Sequence, residues 1–263
     1  MPPYTRALVT GASRGIGEAL ARRLAAGGAE VILVGRDAAT LAPVAEAIMQ
    51  RGGRARTLPL DVREGARTVA ALRAIDAASP IDLVVANAGV GTPAPDATPY
   101  AWETIEQAFH TNFCGAAATL TALLPAMIER GRGHLVGIGS LASFGPLPGS
   151  AAYCAPKAGL AMLLACLRLD LAGTGVAVTT ANLGFVRTAM VARSTHPMPQ
   201  LLEPDEAARR LLEALPRRPR TVTIPRGLGA AARALALVPE AAKASAPARR
   251  VARAPGRGAA PLS

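Results

Sequence analysis

Tyr153 and Lys157 are the residues of this chain best placed to move a proton. They stand four apart in an Ala- and Leu-rich stretch, and that spacing puts both side chains on one face of a helix. A phenol with an ordinary pKa of about 10 is a poor proton carrier at neutral pH. A neighbouring ammonium favours the phenolate and lowers that value towards the working range. Composition singles the lysine out. The chain has 27 arginines and two lysines, Lys157 and Lys243, so a lysine at 157 suits a role that a planar, permanently charged guanidinium does not fill. Thirteen residues before Tyr153, Ser140 closes an apolar run over 134–139 that reads as a strand. No metal chemistry competes with this reading. His110, His134 and His196 form neither a triad nor a ligand set, and Cys114, Cys154 and Cys166 lack metal-ligand spacing. An odd count of cysteines without pattern is expected as reduced thiols in a cytoplasmic setting.

A second constellation suits phosphate. Thr10 to Gly17, Thr-Gly-Ala-Ser-Arg-Gly-Ile-Gly, joins a strand-like run to a helical one. Its glycines permit a tight turn and close backbone approach, and the helix that follows offers free N–H groups to an anion. Gly11, Ser13, Arg14, Gly15, Ile16 and Gly17 are therefore the expected pyrophosphate cradle of a dinucleotide. The next strand ends in Gly35-Arg36, where a protein that binds NAD often carries an acid for the ribose 2′-hydroxyl. Arg36 and Arg14 can instead grip a 2′-phosphate with charge-assisted bonds, which favours NADP(H) over NAD(H). Asp37 is expected to cap the following helix.

The elements that must position these groups alternate along the chain. Strands are predicted near 6–10, 30–34, 55–60, 81–86, 134–139, 176–182 and 221–224, and helices near 15–27, 38–51, 64–78, 100–129, 153–172 and 204–215. Strictly alternating strands and helices give a parallel sheet covered on both faces. Right-handed crossovers and an order reversal after the first strand then make it a doubly wound Rossmann arrangement of seven strands in a single α/β domain. Pro- and Gly-rich loops over 91–99, 144–149 and 194–204 follow strand carboxyl ends, where ligands bind in such sheets.

The 263 residues suffice for one full core, assigned to residues 1–239. No run approaches the roughly 20 consecutive apolar residues of a bilayer span, and from the opening Met-Pro-Pro no secretory signal is expected. The net charge of +11 is uneven: residues 217–263 hold ten basic groups against the single acid Glu240. A near-neutral body with a basic end argues against a nucleic-acid binder, and the end lacks aromatic residues to stack on bases. Residues 240–263, rich in Ala, Arg, Pro and Gly, are expected to be a disordered tail. Over 227–238, Leu228, Ala232, Leu235 and Val238 recur at helical spacing beside Arg226 and Arg233. That segment reads either as a helix capping the substrate pocket or as an amphipathic surface helix for peripheral membrane contact.

Ser140, Tyr153 and Lys157 in this order, with the Gly-x-x-x-Gly-x-Gly loop, resemble the short-chain dehydrogenase/reductase family. Further matches are Asp61-Val62, Asn87-Ala88-Gly89, Asn112 and the Asn182 to Thr188 loop, and together they span about residues 5–226. The resemblance implies that Asp61 meets the adenine amino group beside Val62, and that Asn87, Ala88 and Gly89 line the cofactor cleft. It implies further that the Val186 backbone and Thr188 reach the nicotinamide carboxamide. As catalytic residues it implies Ser140 and Tyr153 on the substrate carbonyl, Tyr153 as proton donor, Lys157 on the phenol and the nicotinamide ribose, and Asn112 holding a water that links the lysine to solvent. The expected activity is NADPH-dependent carbonyl reduction, or the reverse oxidation of a secondary alcohol, in a homodimer or homotetramer. Alternatives are a non-catalytic NADP(H) sensor and a membrane-associated reductase of lipid-like ketones. Leu141, Phe144, Leu147, Phe185 and Met190 are the expected lining for a hydrophobic small-molecule substrate.

Overall fold

The computed structural model describes residues 4–91, 100–192 and 198–239. Seven parallel strands form one sheet in the order β3-β2-β1-β4-β5-β6-β7: β1 Arg6–Thr10, β2 Glu30–Gly35, β3 Arg54–Pro59, β4 Leu83–Ala86, β5 Gly133–Ser140, β6 Val176–Leu183 and β7 Thr221–Ile224. The central strands β1 and β4 are buried throughout, as a sheet covered on both faces requires. At the edge, β3 alternates between exposed and half-buried residues.

Helices cover both faces. On one side α1 (Gly15–Ala26), α2 (Ala38–Met49) and α8 (Pro204–Ala214) pack Leu20, Leu24, Leu41, Val44, Ile48 and Leu211 onto Val9, Leu33, Val85 and Ile138. On the other, α3 (Gly65–Ala78) and α7 (Ala151–Asp170) bring Leu72, Ile75, Leu160 and Leu164 against Leu8, Ile32, Val84 and Leu135. The order reverses between β1 and β4, so the carboxyl ends of these two strands open the crevice where an α/β sheet of this kind binds ligands.

The single helix expected over 100–129 is divided. α4 (Trp102–Phe109) runs into a π turn over His110–Gly115, then α5 (Ala116–Thr121) and α6 (Leu124–Glu129). Asn112 in the π turn is tied by its side chain to the backbone of Val90, and Pro125 near the start of α6 has no N–H to continue the ladder from α5. A π turn inside a helix commonly marks a functional position. By length and mean hydropathy the stretches 102–129 and 151–170 also pass for membrane spans, although polar residues interrupt both, so neither is an unbroken apolar run. Both lie against the sheet, and their Leu120, Met127, Leu160 and Leu164 belong to its core. The expected helix beyond β7 is α9 (Arg226–Ala236). The tail assigned to 240–263, the centre of the 91–99 loop and His196 lie outside the described residues.

Candidate active site

At the end of β1 the backbone must turn tightly, and Gly11 does so at φ +66°. The turn is braced from β4. Asn87 Nδ2 donates to the carbonyls of Thr10 at 2.9 Å and Gly11 at 3.3 Å. Thr10 Oγ1 accepts from the amides of Asn87 and Ala88, both at 3.0 Å. Asn87 therefore shapes the glycine turn, and Thr10, which no motif singled out, is its counterpart. A Cβ on Gly17 would overlap the Gly11 carbonyl oxygen, so α1 begins flush against the turn. Arg14 caps α1 in extended conformation with no side-chain bond to its first amides. An uncapped helix N-terminus behind a turn with no room for side chains suits a pyrophosphate.

Arg36 and Arg14 are both exposed, and Asp37 caps α2 as expected, accepting from the Ala39 amide at 2.9 Å. Gly35 is packed on its side-chain face. A Cβ there would lie 3.0 Å from Leu41 Cδ2, so a side chain at this position requires the end of Leu41 to give way by a few tenths of an ångström. Asp61, expected at the adenine, is already engaged. Arg63 grips its carboxylate in a fork, with Nη2–Oδ2 at 2.6 Å, and donates its backbone amide to Oδ1 at 3.0 Å. Arg63, with a smaller contribution from Arg36, holds the Asp61 carboxyl below the usual carboxylate range. Val62 is buried against Gly115 of the π turn.

The loop after β6 closes over the same end. Gly184 donates to Ile224 O at 2.8 Å, and residues 185–187 pair with Leu202 through two backbone bonds and the Val186–Leu202 bridge. These bonds hold the loop that follows Leu183. Thr188 Cγ2 lies 3.0 Å from where a Gly15 Cβ would stand, so the loop after β6 and the glycine turn meet.

The chemical groups converge at the ends of β4 and β5. Ser140 terminates β5, and its Oγ accepts from the Ala142 amide at 3.1 Å. Tyr153, in the first turn of α7, brings its phenol near enough to the Ser140 hydroxyl for that group to act on its pKa. Each hydroxyl carries one proton to donate, so the pair can offer two donors to a third oxygen. One turn on, Lys157 is 5% exposed. Its Nζ donates to Ile138 O at 2.7 Å and lies 6.0 Å from the Tyr153 ring centroid. Burial lowers the Lys157 ammonium from 10.5 to about 8. Burial also raises the Tyr153 phenol, and the Ser140 hydroxyl opposes that rise. The expected downward pull of Lys157 on Tyr153 is therefore not the leading effect here; desolvation is.

Asn112 is fully buried. Its Oδ1 accepts from Val90 N at 2.8 Å and its Nδ2 donates to Val90 O at 2.9 Å. The side chain pins the π turn to the loop after Asn87-Ala88-Gly89, and one lone pair of Oδ1 and one N–H of Nδ2 remain beyond these two bonds. Gly89 separates the two groups: a Cβ on it would lie 3.0 Å from Asn112 Oδ1 and 3.8 Å from Lys157 Nζ. Beyond Ser140, Leu141 packs beside Gly184 and Leu228, and Met190 lies over Gly91. Helix α9 thus caps the apolar side of the cleft. Concavities of about 250 and 230 Å³ lie at the opposite, amino ends of the strands, around Thr5, Asp82 and Arg132, away from these groups. No cluster of metal-ligating side chains occurs among the described residues.

Comparison with known proteins agrees with this geometry. Residues 5–199 match the family described as short chain dehydrogenase. An uncharacterized oxidoreductase of Myxococcus xanthus is 43% identical over 90% of this chain and 93% of its own length. The ketoacyl reductase HetN of a Nostoc species is 38% identical over 74% of this chain and 68% of its own. A short-chain dehydrogenase from Sphingobium yanoikuyae in complex with NADPH superposes with a TM-score of 0.78 at 28% identity, covering 91% of this chain and 94% of that one. With its doubly wound sheet and its Ser140, Tyr153 and Lys157 drawn together at one crevice, the chain belongs to the short-chain dehydrogenase family and is an NAD(P)-dependent oxidoreductase.

Proposed function

We propose that this protein reduces the carbonyl of a hydrophobic ketone or aldehyde with NADPH, and catalyses the reverse oxidation of a secondary alcohol. The observation that carries the reading is the Ser140–Tyr153 hydroxyl pair with Lys157 buried one turn away. NADPH supplies the hydride. Ser140 and Tyr153 hold the carbonyl oxygen, where negative charge grows in the transition state, and Tyr153 releases its proton to that oxygen. After its bond to Ile138 O, Lys157 keeps two N–H donors, suited to ribose hydroxyls and to stabilising the phenolate that Tyr153 leaves behind. Asn112 fixes the π turn beside Lys157, from which a water returns the proton. Arg14 and Arg36 would hold the 2′-phosphate, and Gly35 presents no competing acid at the end of β2. The apolar side chains of Leu141, Phe144, Leu147, Phe185 and Met190 receive the substrate, and the likeness to a ketoacyl reductase supports an acyl-chain carbonyl. We place this activity in the cytoplasm, in a homodimer or homotetramer.

The test is NADPH oxidation across aliphatic, steroid, retinoid and polyketide-like carbonyls, with Tyr153→Phe as control. The variant should lose at least ~10²-fold in rate and bind NADPH as wild type does. NADPH binding without turnover of any carbonyl would identify a sensor instead. A second reading, a membrane-peripheral reductase of lipid-like ketones, is favoured by Leu235 and Leu237 of the α9 end, 54% and 86% exposed. It requires co-sedimentation with anionic vesicles at low salt that is lost at high salt; no sedimentation at either salt removes it.

A further inference from the structure

Helix α9 is tied to the turn after Ser140 by one charged side chain. The Arg233 guanidinium carbon stands 4.6 Å from the centroid of the Phe144 ring, and Arg233 Nη2 donates to Thr223 Oγ1 of β7 at 3.1 Å. Phe144 closes the short turn that starts at Ser140: its amide donates to Leu141 O at 3.2 Å, and Ser143 Oγ donates to Ser140 O at 2.6 Å. Packing continues on either side of the stack. A Cβ on Gly145 would lie 3.6 Å from Ala236, and one on Gly184 would lie 3.2 Å from Leu228 and 3.3 Å from Leu141. No carboxylate lies between 141 and 152 or between 218 and 239, so Arg233 is held by an aromatic face and a hydroxyl. A flat guanidinium can stack and donate in its own plane at once, which an ammonium cannot do.

We propose that Arg233 is a positioning residue for substrate selection: its guanidinium clamps Phe144 onto α9 and β7 and thereby fixes the Ser140–Phe144 turn that walls the substrate side of the cleft. The proposal rests on the carbonyl-reductase reading for its kinetics, but the clamp can be measured without turnover. Arg233→Met keeps the length of the side chain and removes the charge and the donors. Amide hydrogen exchange over 141–147 should then quicken while exchange in β1 and β5 does not. KM for an uncharged bulky carbonyl should rise about two- to fivefold, the size an exposed cation–π contact supports, with KM for NADPH unchanged and the melting temperature lowered by roughly 2–4 °C. Arg233→Lys should recover only part of this, and Phe144→Leu, which also alters the substrate lining, should add nothing to the exchange over 141–147 in the Arg233→Met background. Unchanged exchange over 141–147, or effects of the two substitutions on that exchange that multiply independently, would overturn the clamp. A loss confined to substrates bearing a carboxylate or phosphate would also overturn it, and would make Arg233 an anion anchor. If the wild type reduces no carbonyl, the functional reading fails and the exchange measurement alone decides the clamp.

Discussion

Replacing Lys157 by methionine should stabilise the fold while destroying the activity. The ammonium is buried with one hydrogen-bond partner, Ile138 O, and burial lowers it from 10.5 to about 8. At about 1.4 kcal/mol per pKa unit, that corresponds to roughly 3 kcal/mol spent on desolvating the charge. Methionine removes the charge at similar volume but leaves the Ile138 carbonyl without its donor, which costs about 1 kcal/mol. The net gain of about 2 kcal/mol raises the melting temperature by roughly 4–8 °C for a domain of this size. The sign depends on pH. Between about 8 and 10.5 the unfolded chain holds a proton that the folded Lys157 has released, so wild-type stability gains with rising pH. The advantage of Lys157→Met should therefore be complete at pH 7, shrink above pH 8 and be nearly gone by pH 10. Thermal unfolding of both proteins at pH 7, 8.5 and 10 measures this, and NADPH oxidation should fall by at least ~10²-fold. A variant less stable than wild type at pH 7, or an advantage that does not change with pH, would refute the reasoning.

Two further outcomes are expected. Arg36→Asp should move preference from NADPH towards NADH by repelling the 2′-phosphate and accepting from a free 2′-hydroxyl, with Arg14 keeping the switch partial; an unchanged ratio of kcat/KM for the two cofactors would show that Arg36 does not read the phosphate. At the opposite end of the sheet, His134 is fully buried between Tyr4 OH at 2.7 Å and Thr179 Oγ1 at 2.8 Å, and burial, helped by Arg218, lowers its imidazole from 6.5 to about 4. The unfolded chain binds more protons in that window, so stability is full above pH 6.5 and about 3 kcal/mol is lost as pH falls to 4. Urea unfolding at pH 7 and 4.5 should show a smaller acid loss in His134→Asn than in wild type, and equal losses would place the acid sensitivity elsewhere.

What the sequence determined by itself was whatever is contiguous. The glycine turn, the Tyr153–Lys157 spacing and the alternation of strands and helices each lie within one element or one loop, where periodicity and residue type are direct physical signals. All seven strands and the doubly wound order follow from that alternation, because right-handed crossovers leave few alternatives. Asp37 is legible for the same reason: a cap acts on amides two residues away.

Tertiary structure alone decided the braces. Thr10 meets Asn87 across 77 residues, Asn112 meets Val90 across 22, and Lys157 meets Ile138 across 19. In each case one partner is a backbone group, which every residue carries and no residue type announces. The π turn is invisible for this reason, since it exists where a buried asparagine is held by a backbone in another loop. The electrostatics of the catalytic pair also lay outside the sequence. Spacing brings Tyr153 and Lys157 onto one helix face, but only the packing around them makes desolvation, and not their mutual attraction, the larger influence on both groups. Arg233 looked like one more cation on an arginine-rich surface until the fold laid it over Phe144.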